Sequence, residues 1–364
     1  MSDRVDVAVV GGGQAALAAG YYLRRTGLTY VILDAEDGPG GAWRHTWESL
    51  RLFSPARFSS LPGRMMPGSD HDAPGRSAVL EYLADYERRY DLPVERGVFV
   101  ERVRDAGDVL VVEAAARRWE ARAVISATGS WRSPYVPDLP GRERFAGLQL
   151  HSAAYRLPEP LRGMRVGVVG GGNSGAQLLA EISRHAETVW MTERPPRFMA
   201  DDVDGRVLFD AATAARAARE NGDGQAGRAA GVGGLGDIVM VPSVKEARDR
   251  GVLVATGPPV TVESDGVVRA DGSRERLDAI VWCTGFRPAT QHLADLEVLD
   301  DDGRVAVEGT RAIEDPRLWM LGYGDWTGFA SATLIGVGRT ARATVEEIVA
   351  ALGAAPVNIG RAGR

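Results

Sequence analysis

Two glycine-rich stretches, GGGQAA from Gly11 and GGGNSG from Gly170, repeat one layout at an offset of 159 residues. Each follows a short apolar run rich in β-branched residues, Val5 to Val10 and Val166 to Val169, and each opens a helical stretch. A second strand then ends in an acid: Asp34 after Tyr30 to Leu33, and Glu193 after Thr188 to Thr192. In both copies the acid lies 21 residues beyond the second glycine of the motif. The chemistry needs this order. The first glycine (Gly11, Gly170) allows a tight turn, and the second (Gly13, Gly172) lets backbone approach a pyrophosphate. The small third residue (Ala16, Gly175) lets the helix pack on its strand. The helix N-terminus, carrying Gln14 in one copy and Asn173 and Ser174 in the other, faces the phosphates. The carboxylate then accepts hydrogen bonds from a ribose diol. One such motif is weak; two at a shared offset are an internal repeat.

The fold class expected is therefore α/β, with two Rossmann-like dinucleotide-binding domains built on parallel sheets. A length of 364 residues suits two cores. Hydrophobic residues at 45% and charged residues at 25% are ordinary for a globular chain, which argues against disorder and against membrane spans. A net charge of −6 without a block of like charge gives no pull toward nucleic acid or anionic lipid. The expected partners are a small-molecule substrate and O2, and a homodimer is compatible with the sequence. Cys283 is the one cysteine, so no intramolecular disulfide, CxxC pair or thiolate cluster can form, as suits a reducing cytoplasm. MSDRVDVAVVGGG is already strand and turn, which leaves no expectation of a cleavable leader. The histidines at 45, 71, 151, 185 and 292 lack metal-ligand spacing, and no metal is expected.

Asp34 has no basic neighbour at 33 or 35, which suits a ribose with a free 2′-hydroxyl, as in FAD or NAD. At the second site Arg194 could clamp a 2′-phosphate. Glu193 opposes it, since a carboxylate about 4 Å from a phosphate charge costs about 4 kcal/mol at an effective dielectric near 20. NADPH requires Glu193 to turn away while Arg194 engages; NADH is the alternative. Three further features give the first site to FAD. Gly40-Gly41-Ala42-Trp43-Arg44 could lay backbone on the pyrophosphate and flavin. Ala127-Thr128-Gly129 and Cys283-Thr284-Gly285 each end an apolar strand and read as crossings between domains. Asp325, just ahead of a helix expected from about Ser331, could bind the ribityl hydroxyls while that helix points its N-terminus at the pyrimidine side of the flavin.

Together these motifs resemble the class B flavin-dependent monooxygenases over nearly the whole chain, and most closely the ArsO-type enzymes found with arsenic-resistance genes. The resemblance is carried by GGGQAA, by GGAWR at 40 to 44, by LRLFSPARFSSLPG at 50 to 63, by both TG triplets, and by FAGLQLHSAAY at 145 to 155. The last matches the family fingerprint F-x-G-x-x-x-H-x-x-x-Y at Phe145, Gly147, His151 and Tyr155. The resemblance implies that NADPH reduces FAD, that O2 adds to give a flavin C4a-hydroperoxide, and that one oxygen atom passes to a soft nucleophile with an N, S or As centre. It implies a FAD domain of residues 1–160 and 281–364 with an NAD(P)H domain, 161–280, inserted. Val100 joins the cofactor contacts, at the start of a small antiparallel excursion between Val98 and Ala123. His151, Tyr155, Arg44 and Ser54 are the catalytic candidates.

One position departs from the pattern. Many relatives carry Asn or His in the stretch Leu52-Phe53-Ser54-Pro55, whereas this chain has Phe53, which can neither donate nor accept. Ser54 or Arg44 could substitute; otherwise the enzyme would act as an NAD(P)H oxidase, the competing reading beside a flavin reductase. A Baeyer–Villiger role is disfavoured by Tyr155-Arg156, the ending that resembles N- and S-oxygenating members. For His151 and Tyr155 two roles stay open: hinge and latch for the inserted domain, or packing of its junction. Residues 219–236 read as a lid or a surface loop. Pro195 to Met199 line a cavity or pack between helices.

Overall fold

The computed structural model describes residues 2–69, 73–115, 117–201, 237–328 and 330–354. The chain forms two compact units. One comprises Met1–Arg44, Ser59–Ser133 and Phe286–Arg364; the other comprises His45–Phe58 and Pro134–Gly285.

In the first unit the β-branched runs become parallel strands: β1 (Ser2–Val10), β2 (Tyr30–Asp34), β3 (Val94–Arg96), β6 (Arg117–Ser126) and β17 (Leu318–Met320), in the order β17-β6-β1-β2-β3. Val7, Ala8 and Val9 have no exposed surface, as strands buried on both faces require. The short strands β15 (Val307–Glu308) and β16 (Arg311–Ala312) extend the β17 edge antiparallel. The expected excursion is a hairpin, β4 (Arg102–Asp105) and β5 (Leu110–Ala114), paired to the start of β6. Helix α1 (Gln14–Leu23) buries four alanines and packs against α5 (Val337–Ala351). Helix α2 (Arg76–Arg89) carries Tyr82 and Tyr86, with Tyr90 at its C-cap; their hydroxyls donate to the carbonyls of Arg64, Pro62 and Gly63, each at 2.7 Å.

The second unit holds a parallel five-stranded sheet, β10 (Ala255–Thr256), β9 (Glu187–Met191), β8 (Arg165–Val169), β14 (Ala279–Trp282) and β7 (Leu148–His151) in that order. An antiparallel sheet, β11 (Pro259–Glu263), β12 (Gly266–Arg269) and β13 (Arg274–Arg276), accompanies it. Helix α3 (Asn173–Ile182) follows β8 and packs on α4 (Pro242–Asp249).

The unit boundaries differ from the expected 1–160, 161–280 and 281–364. Strand β7 pairs residue for residue with β14, from Leu148 opposite Ala279 to His151 opposite Trp282, so the stretch from Pro134 belongs with the second sheet. Trp47 packs in the same apolar core as Tyr155 and Leu161, which draws 45–58 into that unit too. The final helix begins at Val337, not near Ser331. Hydroxyls compete there with helical bonding: Ser331 donates to the Gly324 carbonyl at 2.8 Å and Thr333 to Ala330 at 2.8 Å. The 219–236 stretch lies outside the described residues.

Candidate functional site: two dinucleotide cradles

At the first turn Gly11 has φ +106°, and a Cβ there would meet the Ala127 carbonyl oxygen at 2.6 Å. Gly11 and the Ala127-Thr128-Gly129 triplet thus lie side by side at the carboxyl ends of β1 and β6, where the strand order reverses. Open α/β sheets bind ligands at such a point. Gly13 has no atom within 4 Å of where its Cβ would stand, leaving bare backbone. Gly41, at φ +51°, lies so near that its Cβ would come 2.8 Å from the Gly13 Cα. The GGAWR turn therefore closes beside the glycine turn, and the two make a backbone cradle that a diphosphate fits. Ala16 is fully buried in α1.

Several expected ligands serve as braces. The Gln14 amide donates to the Ala332 carbonyl at 2.6 Å and accepts from the Trp43 indole at 2.9 Å. The Arg44 guanidinium is held by Asp37 and by Glu36, the latter at 3.7 Å. Thr128 donates to Ala289 at 2.7 Å, and the Gly129 carbonyl accepts from the Ala289 amide at 2.8 Å. Val100 is 7% exposed and packs in the apolar core, which leaves its backbone for any cofactor contact. Asp325 is exposed on a 3-10 turn, Asp325–Thr327, well ahead of the helix it was expected to introduce.

Asp34 is 4% exposed. Burial pushes its carboxyl above the ordinary range; the Glu36 amide and the Arg96 guanidinium pull the other way. Arg96 also pairs with Glu87 of α2. A Cβ on Gly12 would lie 2.3 Å from Asp34 Oδ2, so that glycine is required by the folded-in carboxylate.

The second turn repeats the plan. Gly170 has φ +131°, and its Cβ would strike the Cys283 carbonyl oxygen at 2.2 Å, which puts the Cys283-Thr284-Gly285 triplet beside the turn as Ala127-Thr128-Gly129 is beside the first. Gly172 is open to at least 4 Å, and a Cβ on Gly175 would lie 2.1 Å from the Gly170 carbonyl. The Trp190 indole donates to that carbonyl at 2.9 Å. Asn173 accepts from the Val239 amide at 2.9 Å and donates to Asp237 at 3.3 Å, the same bracing use as Gln14. Ser174 is half-buried at the start of α3. Glu193 and Arg194 are exposed, and no ion pair joins either to another described residue.

The fingerprint is a clip within the second unit. Phe145 packs with Val262, Leu277 and Trp282, and Gly147 gives clearance to the Asp278 carbonyl, which its Cβ would approach to 2.3 Å. His151 Nδ1 accepts from the Ala153 amide at 3.0 Å, so the hydrogen-bond pattern puts the ring proton on Nε2, which donates to the Gly285 carbonyl at 3.0 Å. Burial holds this imidazole below its usual pKa, with the Gly285 bond opposing. Tyr155 is 1% exposed; burial beside Glu181 of α3 raises its phenol. The Gly285 carbonyl also accepts from the Tyr135 amide at 2.9 Å, so entry and exit of this unit run paired. Ser54 is half-buried in the 45–58 segment, and Phe53 beside it is 40% exposed. Phe198 of the Pro195 to Met199 stretch is exposed and tilts against Trp190.

Sequence reasoning missed Arg96, Trp190 and a polar network under the first turn. In that network the Tyr323 hydroxyl bonds Ser126 at 2.5 Å and Thr128 at 2.7 Å, and Ser126 meets His292 Nε2 at 3.1 Å. None of these carries a spacing signal: Arg96, His292 and Tyr323 lie far along the chain from the groups they meet, and Trp190 differs from its strand neighbours by its indole and not by its position. Among the described residues no three His, Cys, Asp or Glu side chains gather as a metal cage, and no helix is long and apolar enough to cross a membrane.

Residues 8–219 match the family model described as pyridine nucleotide-disulphide oxidoreductase. A flavin-containing monooxygenase from Stenotrophomonas maltophilia, known as a solved structure, is 54% identical and superposes with a TM-score of 0.87 over 96% of this chain and 99% of its own. An uncharacterized CzcO-like oxidoreductase of Geobacillus kaustophilus is 27% identical over 96% of this chain and 99% of its own. The indole-3-pyruvate monooxygenase YUCCA1 of Oryza sativa subsp. japonica is 27% identical over 93% of this chain and 90% of its own.

Proposed function

This chain belongs to the pyridine nucleotide-disulphide oxidoreductase family and, within it, to the flavin-containing monooxygenases, and on that premise we propose that it uses FAD, NADPH and O2 to oxygenate a small soft nucleophile. The observation that carries the reading is the presence of two complete glycine-turn cradles in a chain whose one cysteine is buried. Burial pushes that thiol up to about 12, and with no second cysteine there is no dithiol to receive electrons.

When bound, FAD would supply the oxygen activation and NADPH the reducing equivalents. The chain's residues bind and orient. Backbone at Gly11, Gly13 and Gly41 receives the flavin diphosphate, Asp34 the ribose, and Thr128, Gly129 and Asp325 the remainder of the cofactor. Gly170, Gly172, Ser174 and Gly175 receive the nicotinamide dinucleotide, and Arg194 clamps its 2′-phosphate while Glu193 turns outward. NADH is the weaker donor on this reading. His151 fixes the Gly285 carbonyl at the exit of the second unit and Tyr155 anchors the same segment in its core, together a hinge and its latch. Ser54 offers the hydroxyl that Phe53 lacks, and Arg44 holds the GGAWR turn. The ArsO-like motifs favour a trivalent arsenical as substrate, with thioethers and amines next.

The test follows NADPH use, O2 uptake and H2O2 release together, on FAD-loaded protein, with a trivalent organoarsenical, a thioether, a tertiary amine and indole-3-pyruvate. Oxygen transfer predicts substrate-dependent NADPH use, H2O2 well below stoichiometric, and a product one oxygen atom heavier. Stoichiometric H2O2 with every compound would replace this reading by the NADPH oxidase, which the apolar, exposed Phe53 favours.

A further inference from the structure

Asp34 does not stand alone at the first cradle. Its Oδ2 is paired with Arg96, its neighbour in register across β2 and β3, and its Oδ1 accepts the Glu36 amide at 3.3 Å. The second fork of Arg96 holds Glu87 on α2. Backbone seals the corner: the Val98 amide donates to the Asp34 carbonyl at 2.8 Å and the Gly97 amide to that of Glu36 at 2.9 Å. Gly12 lies against the same oxygen that Arg96 holds, Oδ2.

The charges facing this carboxylate are few. Arg96 comes from β3, Glu87 from α2, and Glu36 from the turn after β2. Glu36 is itself engaged by Arg132 at 2.7 Å and Arg44 at 3.7 Å. Arg96 is thus the one cation in direct contact with Asp34 among the described residues, while both other neighbours are acids. A buried carboxyl left with two acidic neighbours would take a proton, and a protonated acid accepts fewer hydrogen bonds from a diol.

We propose that Arg96 is a positioning residue for the first dinucleotide: it keeps Asp34 ionised and aimed along the edge of the glycine turn, so that its remaining lone pairs meet the adenosine ribose. Arg96 does so through Asp34 and needs no contact of its own with the cofactor. The inference rests on the reading of the first cradle as the FAD site.

The experiment is a titration of full-length apoprotein with FAD, followed by flavin fluorescence, from pH 5 to pH 8. Binding requires ionised Asp34, so affinity falls as pH falls through its pKa. Arg96→Met is expected to weaken FAD on the order of tenfold or more at pH 7.5. It should also move the acid midpoint of binding upward by about a unit or more. Arg96→Lys keeps the charge without the fork, so its affinity drops while its acid midpoint stays with the wild type. Glu87→Gln breaks the other half of the ion pair and should leave FAD binding within about twofold, since a charge-neutral partner on α2 does not touch Asp34. Two results would overturn the proposal: an Arg96→Met titration and midpoint equal to wild type, or a loss in Glu87→Gln as large as in Arg96→Met, which would make the cluster a brace between α2 and β3. An upward midpoint shift in Arg96→Lys would overturn it even if Arg96→Met did not fold. A wild-type chain that takes up no FAD overturns the functional reading as well, which separates the two failures.

Discussion

Asp34 and Glu193 occupy the same step of the two repeats, yet their surroundings are opposite. Asp34 is buried, paired with Arg96, bonded by the Glu36 amide and walled by Gly12. Glu193 and Arg194 stand exposed without an ion-pair partner among the described residues. The backbone cradles nonetheless agree, each with a positive-φ glycine pressed on the carbonyl that ends a neighbouring strand. The motif thus dictates the shape of the turn, while the acid's environment is set by strands the motif does not contain. A carboxylate already stripped of water suits a nucleotide that stays; one still hydrated suits a nucleotide that comes and goes, and the proposed cycle needs one of each.

The largest test of that contrast is to break each cradle in turn. Gly11→Ala and Gly170→Ala both add a Cβ at positive φ within 2.6 Å and 2.2 Å of a carbonyl oxygen. Each is expected to cost about 3 kcal/mol or more in urea unfolding. Gly11→Ala should lose flavin and Gly170→Ala should lose NADPH binding; a common loss would mean the cradles are not independent. Next comes acid. Burial pushes His292 down to about 4, below the 6.5 of an ordinary imidazole. The unfolded chain therefore binds a proton as pH drops below 6.5 while the folded ring does not. Stability is full above that pH and falls by about 1.4 kcal/mol per unit until about 4. His292→Gln should flatten this slope in thermal unfolding between pH 7.5 and 4.5, and an unchanged slope would assign acid sensitivity elsewhere.

A smaller effect separates the nucleotides. Arg194→Ala should weaken NADPH about tenfold, a single charge-assisted contact, with NADH and flavin binding unchanged. Equal losses for NADPH and NADH would remove Arg194 from the 2′-phosphate. The smallest effect is expected at the amides. Gln14→Ala and Asn173→Ala each delete side-chain bonds to neighbouring segments and should cost about 1 kcal/mol in unfolding. A loss of nucleotide without a loss of stability would return these residues to the role first expected of them.

Strands β1 and β8, helices α1 and α3, both acids and the excursion of β4 and β5 were legible because each has a local period or a fixed spacing. The junctions were less so. Pro134 to Tyr155 looked like the tail of the first domain because its tie to Ala279–Trp282 is a long-range pairing. Arg96, 62 residues from Asp34, and the Tyr323, Ser126 and His292 network likewise leave no periodic trace. The start of the last helix was placed too early because hydroxyls at Ser331 and Thr333 offered the backbone other partners. Position in the motif points Gln14 and Asn173 at the phosphates, whereas their side chains are engaged with protein.

The three phenols along α2 have an evolutionary consequence. Tyr82, Tyr86 and Tyr90 grip carbonyls of residues 62 to 64, so they recognise main chain and not side chains. At Arg64 the gripped sequence can drift without weakening the grip, although Leu61 is 3% exposed and a Cβ on Gly63, at φ +80°, would lie 2.5 Å from the Tyr21 ring. The spacing on the helix cannot, because inserting or deleting one residue between the tyrosines rotates those beyond it by about 100°. Lineages of this fold should therefore tolerate substitution at Arg64 far more readily than a change in the length of α2.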